Sequence, residues 1–401
     1  MNLLLVADGH YYQTPDGKVY SDSVFDYTFY KRYLSVFEHV YAVIRAKQVI
    51  DIPVGKKLAS GDGISFILLP NYHGPYQYLL KYIKIRRQVE KICNDKNIDC
   101  AIFRIPAATA NIVAYRFLKT RKPFAVEVVT DPWANFGPFA NGNKIMLWFV
   151  RRNWTQTVKL LCLKADGASY VTKNYLQTLY PPKSDVQGYG FTSSYSSVEL
   201  SEEGFGKPRI WNDSQKSFCI SHAANYFSSY GKGHLTVMDA VKKVRNEGFD
   251  INIKFIGDGP KRKEFESYAK KIGISEYVNF IGRLSNGEEV RKAIANSDIF
   301  ILPTYAEGLP RVLLEAMSVG LPCLSSPVCG IPEILSNEYL YDFSDSNGFA
   351  EGIINLITST NKLAKASETN INTALGFSST VLNNKRDRFY KELRKLVEEK
   401  C

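Results

Sequence analysis

The fold of this chain is decided by one stretch in its second half, DIFILPTYAEGLPRVLLEAMSVGLPCLSS, residues 298–326. The apolar run at 298–303 predicts a buried strand, and helix-forming residues begin again at Arg311, with Pro310 expected at the first helical position. A second apolar run, PCLSS, follows at 322–326. A strand, a helix and a strand in this order are typical of a parallel sheet covered by helices.

Strands and helices alternate in the same way along most of the chain, in two series. The first series occupies residues 1–190, and the second occupies residues 217–380. Residues 191–216 between them are rich in serine and glycine and lack periodicity, which predicts a linker. The last helix, within 381–401, is amphipathic, and we expect it to pack back toward the first domain. The sequence therefore predicts an α/β fold of two Rossmann-like, doubly wound domains that face a central cleft.

The beginning of the first series carries two local predictions. The apolar run at 2–8 predicts a short strand, followed by a long polar loop that contains Gly9 and Gly17. The segment FYKRYLSVFEHVYAVIRA, residues 29–46, predicts a helix that runs into a strand at 40–45.

The composition is that of a globular protein, with 45% hydrophobic and 23% charged residues. A length of 401 residues favours two domains. No basic segment precedes the apolar start, and no apolar stretch approaches the ~18 residues of a membrane span. We therefore expect a cytoplasmic protein, which can still lie at the inner face of the cell membrane. The seven cysteines are scattered and never spaced as C-x-x-C, which favours reduced thiols over disulfides or a zinc site.

The positive charge is concentrated in the first half of the chain. Residues 1–190 hold 25 lysines and arginines against 14 aspartates and glutamates, whereas residues 191–401 hold 26 of each. The first domain is therefore expected to present a basic face to an anionic partner, either nucleic acid or an anionic membrane. The segments 81–91 and 144–154 mix basic with aromatic and apolar residues, as interfacial helices do, although their apolar faces can equally pack on the sheet. No groove-reading or base-stacking motif accompanies the charge, so we expect no nucleic-acid partner.

Two glutamates flank the turn inside the stretch that decides the fold. With a helix beginning at Arg311, Glu307 lies in the loop and Glu315 about a turn and a half along the helix. The amides of Gly308 and Leu309 then lie at a helix N-terminus, where backbone donors favour an anion such as a diphosphate. The two carboxylates can accept hydrogen bonds from sugar hydroxyls. The pair alone is weak evidence, because glutamate is common on helix surfaces.

The same stretch, extended to residues 297–335, resembles the donor-site signature of the family 4 nucleotide-sugar glycosyltransferases of GT-B fold. Three further segments resemble blocks of that family in the right order: YGKGHLTVMDA (230–240), FIGDGP (255–260) and NFIGRL (279–284). The resemblance is strong over 215–340 and weaker before it. In the first half, GKVYSD, YKRYLSVFEHVYAVIR and EVVTDPWANF look like members that build bacterial surface polysaccharides.

The resemblance implies retaining transfer from a UDP- or GDP-linked sugar to a glycan or a lipid-linked oligosaccharide, with no metal and no other cofactor. It implies that Glu315 holds the ribose hydroxyls of the donor, and that Glu307 orients the sugar and supports its developing positive charge. Lys232 matches the lysine that neutralises the leaving diphosphate. The backbone implied to bind sugar hydroxyls and phosphate belongs to Gly308, Leu309 and Pro310.

Other candidate donor contacts follow from the same resemblance. Gly282 and Arg283 lie where the family holds the base, and Gly17 lies in a loop expected to approach the diphosphate and the acceptor. Phe227 occupies the place of the family's usual phosphate-binding arginine, so that either Asn225 or a distant arginine is the candidate for this phosphate contact.

Two candidates come from the first domain. Many members carry a histidine after the strand that corresponds to AVEVVT, where this chain has Thr130 and Asp131. Asp131 is a candidate catalytic contact to the sugar, but an Asp-Pro pair is also typical of a turn. His10 follows the first strand and is a candidate for the border of the acceptor cleft. No set of histidines has the spacing of metal ligands.

Two other functions remain open on the sequence alone. One is a nucleotide-sugar 2-epimerase, because one fold hosts several reactions. The other is a non-catalytic subunit that binds a nucleotide sugar within a polysaccharide synthesis complex.

Overall fold

The computed structural model describes residues 1–21, 25–284 and 287–399. The first half contains nine strands in one sheet, namely Asn2–Gln13 (β1), Val19–Ser21 (β2), His39–Gln48 (β3), Lys57–Leu58 (β4), Ile64–Pro70 (β5), Cys100–Ile105 (β6), Phe124–Val128 (β7), Gly167–Tyr170 (β8) and Phe191–Ser194 (β9). The helices among them are Tyr27–Lys31 (α1), Gly74–Cys93 (α2), Ala108–Phe117 (α3), Pro132–Asn135 (α4), Lys144–Lys164 (α5), Tyr175–Leu179 (α6) and Lys183–Gln187 (α7).

The second half contains a five-stranded sheet, formed by Ser217–Tyr226 (β10), Asp250–Asp258 (β11), Val278–Gly282 (β12), Ile299–Leu302 (β13) and Cys323–Ser325 (β14). Its helices are His234–Asn246 (α8), Arg262–Lys271 (α9), Gly287–Ala295 (α10), Arg311–Ser318 (α11), Ser346–Ile357 (α12), Thr360–Leu375 (α13) and Ser379–Glu398 (α14).

Both sheets have the strand order of a doubly wound fold. The first has the parallel order β5-β3-β1-β6-β7-β8-β9. In addition, β2 pairs antiparallel with the end of β1, and β4 pairs antiparallel with β2. The second has the parallel order β12-β11-β10-β13-β14. Successive strands are added on one side of β1 up to β5 and then on its other side from β6 onward. In the second sheet the same reversal of strand order lies between β10 and β13. Ligands of open sheets bind at such reversals. The predicted α/β fold of two Rossmann-like units is confirmed.

Central strands of both sheets are almost wholly apolar because helices and neighbouring strands cover them. Leu3, Leu4 and Leu5 of β1 have no solvent-exposed surface, and the side chains of β13 are buried along its whole length. These strands fix the positions of the loops at their carboxyl ends, where the polar residues of both halves collect.

The first strand is longer than the sequence predicts. β1 does not end at Asp8 but continues to Gln13, so that Gly9 lies within the strand and Gly17 lies in the turn of the hairpin between β1 and β2. A register shift against β3 between Val6 and His10 accommodates the polar residues, and pairing with β3 then resumes. The prediction of a loop was wrong because the pairing of this polar segment with β3, a later strand, leaves no signal in the local pattern.

Three further boundaries differ from the prediction. Among the described residues 25–38, between β2 and β3, the structure has the short helix α1 and a 3₁₀ turn at Arg32–Ser35, and β3 begins at His39. The predicted linker starts with a strand, β9, at the edge of the first sheet. Pro310 is the residue that precedes α11 rather than its first helical residue.

The C-terminal helix α14 leaves the second half and packs on the first sheet. The ring of Phe389 lies 4.9 Å from that of Phe191 on β9. The ring of Tyr390 stacks on Tyr33 at 4.9 Å, and its hydroxyl donates a hydrogen bond of 2.9 Å to Glu127 on β7. The helix therefore joins the two halves of the protein.

Candidate functional site

The loops that follow β10 and β13 meet at the reversal point of the second sheet. The amide of Tyr305, after β13, donates a hydrogen bond of 3.0 Å to the carbonyl of Gly231, after β10. Gly233 has φ +68°, and a Cβ atom there would lie 2.3 Å from the carbonyl oxygen of Pro303. The glycine is therefore required by both its conformation and this close approach.

This contact brings Lys232 and Glu307 together. The ammonium group of Lys232 donates a hydrogen bond to a carboxylate oxygen of Glu307, and the two side chains form an ion pair. The lysine side chain retains 34% of its exposed surface and the glutamate 22%. A ligand that enters the reversal point can therefore reach both a positive and a negative charge.

Gly308 allows the turn to lie in close contact with the first half of the protein. A Cβ atom at this position would lie 2.2 Å from the carbonyl oxygen of Val129, which follows β7, and 3.2 Å from Val171, which follows β8. The carbonyl of Gly308 accepts a hydrogen bond of 3.1 Å from the amide of Gly330. The turn between the two glutamates thus lies at the junction of the two sheets, and no side chain fits at the position of Gly308.

Glu315 lies further back on α11 and is half-buried. Burial raises the pKa of its carboxyl group, and the charges of Arg311 and Arg291 oppose that shift. No hydrogen-bond donor reaches the carboxylate from the part of the chain that the structure describes. A desolvated carboxylate without a donor is costly, and the hydroxyls of a ligand would relieve that cost.

The remaining turn residues line the junction. Leu309 is buried against Val171, and Pro310 precedes the first turn of α11. Gly282 ends β12 with φ +90°, and Arg283 follows it as an exposed residue. Gly282, at the end of β12, and Arg283 after it lie on the far side of β10 from the turn that carries Glu307.

Three predicted residues are not brought into this cluster by any described contact. Gly17 is exposed in its hairpin turn, where its amide bonds to Thr14. His10 lies on the first sheet with its ring stacked 4.9 Å from that of His73. Asn225 is exposed near the end of β10. Their functional roles remain predictions.

Asp131 has the contacts of a helix cap. Its carboxylate accepts hydrogen bonds from the amides of Trp133 at 2.8 Å and Ala134 at 3.2 Å, and a third from the hydroxyl of Tyr180. The residue is only 3% exposed. These contacts are those of the turn interpretation of the Asp-Pro pair, and a contact of Asp131 with the sugar stays a prediction.

Phe227, which replaces the expected arginine, belongs to the core below the loop at 228–233 that carries Lys232, called here the lysine loop. Its ring lies 4.4 Å from His234 and 5.9 Å from Phe265. Burial lowers the pKa of the neighbouring His222 to about 4, and Nδ1 of this residue is 2.9 Å from the carbonyl of Ile301. These histidines are therefore neutral packing residues at physiological pH. Within the described ranges, no three histidine, cysteine or acidic side chains are grouped so as to hold a metal ion.

Glu333 is a junction residue that the sequence did not reveal. It ends a 3₁₀ turn in the second half, and its carboxylate accepts three backbone hydrogen bonds from the first half: from Lys173 at 2.5 Å, Asn174 at 3.0 Å and Tyr175 at 2.7 Å. These amides form the N-terminus of α6, which favours a negative charge. No local pattern could predict this contact, because the two segments are about 160 residues apart.

We expect Glu333→Ala to lower the free energy of unfolding by about 1 kcal/mol, because it leaves three amides of α6 without their charged acceptor while water replaces part of the interaction. Thermal and urea unfolding measure this loss. Glu338→Ala, at an exposed position five residues further on, is the matched control and should have little effect. An unchanged midpoint for Glu333→Ala would show that the contact does not hold the junction together.

A loop from the first half also touches the lysine loop. Phe139, between α4 and α5, packs against Tyr305 with ring centres 5.1 Å apart. A Cβ atom added at Gly231 would lie 3.1 Å from the Cβ of Phe139. The side-chain amide of Asn141 donates a hydrogen bond of 3.3 Å to the carbonyl of Ser228. The site therefore has walls from both halves.

Comparisons with known proteins identify relatives of this chain. Residues 217–373 match the family model "Glycosyl transferases group 1". The chain is 34% identical over 343 residues to N-acetyl-alpha-D-glucosaminyl L-malate synthase of Bacillus anthracis, covering 79% of this chain and 86% of the relative. It is 28% identical over 349 residues to Protein CapJ of Staphylococcus aureus, covering 86% and 83%.

Among solved structures, HepE of Anabaena, determined in complex with UDP and glucose, superposes with a TM-score of 0.64. The two chains are 14% identical, and the match covers 98% of this chain and 100% of HepE. The likeness confirms the predicted GT-B fold.

Proposed function

Because this chain belongs to the group 1 glycosyltransferases, we propose that it transfers a sugar, with retention and without a metal, from a nucleoside diphosphate sugar to an acceptor held by the first half of the protein. The observation that carries the proposal is the pairing of Lys232 with Glu307 at the reversal point of the second sheet, with Glu315 behind them on α11.

Each charged residue has a separate task in this reaction. Lys232 stabilises the diphosphate as the bond between its oxygen and the anomeric carbon breaks and negative charge develops. Glu307 orients the sugar and supports the positive charge that develops on its ring. An acceptor oxygen forms the new bond to the anomeric carbon, and its proton leaves with the diphosphate. Glu315 accepts hydrogen bonds from the ribose and so positions the donor without taking part in the bond changes.

UDP-linked sugars are the first donors to test, since HepE was solved with UDP, and GDP-linked sugars are the second. We expect the matching nucleotide sugar to stabilise the protein against thermal unfolding by ~2.7 kcal/mol at 100 times its dissociation constant. Release of free nucleoside diphosphate only in the presence of an acceptor would separate transfer from epimerisation. Stabilisation by neither nucleotide class would contradict the proposal, and binding without any turnover would favour the non-catalytic alternative.

For the acceptor we propose a glycan, in its lipid-linked form, and a place in surface polysaccharide synthesis at the inner face of the cell membrane. A small carboxylic acid is the second candidate, which the resemblance to the L-malate synthase favours. The two candidates differ in size and in their need for a membrane.

The first half presents an apolar surface that suits a lipid bilayer. On α2, four exposed apolar side chains recur at helical spacing: Tyr76, Leu79, Leu80 and Ile83. On α5 the exposed apolar side chains are Ile145, Met146, Trp148 and Phe149. Helix α3 packs between these two helices, and Lys84, Arg86 and Arg87 are exposed beside the α2 stripe. Apolar insertion next to basic residues is typical of contact with anionic lipid.

No helix in the described part of the chain is long and apolar enough to cross a membrane. We propose that α2 and α5 together form a peripheral membrane surface, defined by the eight side chains named above.

We expect the protein to sediment with vesicles that contain anionic phospholipid and to bind neutral vesicles at least tenfold more weakly, since basic residues near the surface each add to the attraction. The double variant Leu79→Ser, Phe149→Ser should lose most of this binding, because both side chains are at least 60% exposed and available for insertion. Ile210→Ser, at an exposed position outside the surface, is the matched control. Equal binding by both variants would contradict the surface.

A further inference from the structure

Three arginine side chains line a crevice beneath the C-terminal helix, at the carboxyl edge of the first sheet: Arg32, Arg104 and Arg386. Glu127 is the one carboxylate that lines it in the described part of the chain. The crevice has room for about one water molecule, which is the size of a single oxygen atom of an anion. The crevice belongs to no part of the donor site.

Both oxygens of the Glu127 carboxylate accept hydrogen bonds from neighbouring side chains. The carboxylate accepts hydrogen bonds from the hydroxyls of Tyr33 at 3.0 Å, Tyr195 at 3.0 Å and Tyr390 at 2.9 Å, and from Arg104 at 2.5 Å. Burial alone would raise its pKa, but the charges of Arg104 and Arg32 and these hydrogen bonds lower the pKa to about 2. Glu127 is therefore ionised and balances one of the three guanidinium groups.

The other two guanidinium groups have only neutral hydrogen-bond partners among the described residues, although the charge of Glu127 also attracts Arg32. Arg386 donates to the side chain of Asn383 at 2.8 Å and to the carbonyl of Ser196 at 2.7 Å. Arg32 donates to the hydroxyl of Tyr33 at 3.3 Å, and its buried Nε has no hydrogen-bond partner among the described residues. Burial lowers the pKa of Arg386 and the nearby charge of Arg32 lowers it further, whereas Glu127 and the hydroxyls of Tyr390 and Tyr195 oppose that shift. Because guanidinium groups stay charged, the crevice carries a net charge of about +2.

The crevice lies next to the turn at 307–310, which carries candidate donor-binding residues. Val129 and Val171 line it, and both also contact Gly308, which lies between Glu307 and Glu315 in the chain. A second, adjoining crevice shares Val171 and Tyr195 and is lined by Leu309. Its charged lining residues are the cations Lys173 and Lys385 and the carboxylate of Glu333.

We propose that this crevice binds an oxyanion of the acceptor, a phosphate or a carboxylate, with one oxygen directed between Arg32 and Arg386. Planar guanidinium groups suit both anions because they donate two parallel hydrogen bonds. The identity of the anion as part of the acceptor depends on the proposed glycosyl transfer, whereas anion binding itself does not. A phosphate would correspond to the lipid-linked acceptor and a carboxylate to the small-acid acceptor.

The first test measures thermal unfolding of Lys232→Met, in which the donor site has lost its phosphate-binding cation. Inorganic phosphate, succinate and chloride are added at matched ionic strength. We expect phosphate or succinate to raise the midpoint in a saturable way, and the more effective of the two identifies the kind of acceptor group. Equal effects of all three salts would overturn the proposal.

The second test adds Arg32→Gln to the same protein, with Arg388→Gln, at an exposed position of α14, as the matched control. We expect Arg32→Gln to lower the affinity for the anion at least tenfold, whereas Arg388→Gln should leave that affinity unchanged. Arg32→Lys, which keeps the charge but removes Nε, should show the same loss and replaces the glutamine variant if that protein does not fold. Undiminished anion affinity in the Arg32 variant would show a purely structural cluster.

Failure of this inference is distinguishable from failure of the proposed function. Nucleotide-sugar binding is measured with native Lys232 present, so it can succeed while the anion tests fail, and the reverse can also occur.

Discussion

Lys232→Met is expected to lower kcat for sugar transfer by about 10²- to 10³-fold, the range found when one group that stabilises developing charge is removed. Methionine keeps the length and apolar stem of lysine but carries no charge. The leaving diphosphate would then develop its negative charge beside Glu307, which has lost its partner. Steady-state release of nucleoside diphosphate in the presence of acceptor measures this loss.

Two controls separate the electrostatic effect from damage to the fold. Lys271→Met, at an exposed position at the end of α9, should transfer at the native rate. Glu307→Gln keeps the shape of the turn and should also slow transfer, because an amide supports positive charge less well than a carboxylate does. A Lys232→Met enzyme with kcat within about threefold of the native value would show that the lysine does not act on the diphosphate.

Glu315→Gln is expected to weaken nucleotide-sugar binding by about 10- to 100-fold, because hydrogen bonds to a buried charged group are worth ~1.5–3 kcal/mol. The free protein should not lose stability. The raised pKa of Glu315 means that the folded protein binds a proton at this carboxyl more tightly than the unfolded chain does. Its ionised form therefore costs stability above that pKa, and the neutral amide removes the cost.

The same residue predicts the pH dependence of donor binding. Ribose hydroxyls bind the ionised carboxylate, so affinity for a UDP-sugar should fall as the pH decreases through the raised pKa of Glu315, and a proton should be released on binding. In Glu315→Gln this dependence should disappear. Calorimetric titrations at several pH values measure both effects. Native affinity in Glu315→Gln would contradict the ribose contact.

Most strands of both halves could be predicted because each is a short apolar run bounded by turn residues. The loop-then-helix structure around the glutamates could also be predicted, since Pro310 and the helix formers after it mark the boundary locally. β1 was underestimated because the partners of its polar half, in β3 and β2, contribute nothing to the local pattern.

The candidate site was predicted only where one segment carries its own signal. Lys232 and Glu307 were each identified separately, but their ion pair depends on the order of β10 and β13 in the sheet. The Asp-Pro pair allows two interpretations of Asp131, and Tyr180, whose hydroxyl completes the hydrogen bonds of this carboxylate, lies 49 residues further along the chain. Glu333 and the arginine crevice were missed because their partners come from segments that the sequence does not connect.

The most direct measurement is a crystal structure of the protein with an unreacted UDP- or GDP-sugar. Our account predicts that the ribose hydroxyls lie within about 3 Å of the Glu315 carboxylate and that the diphosphate contacts Lys232. A nucleotide bound elsewhere, with the turn at 307–310 untouched, would contradict it.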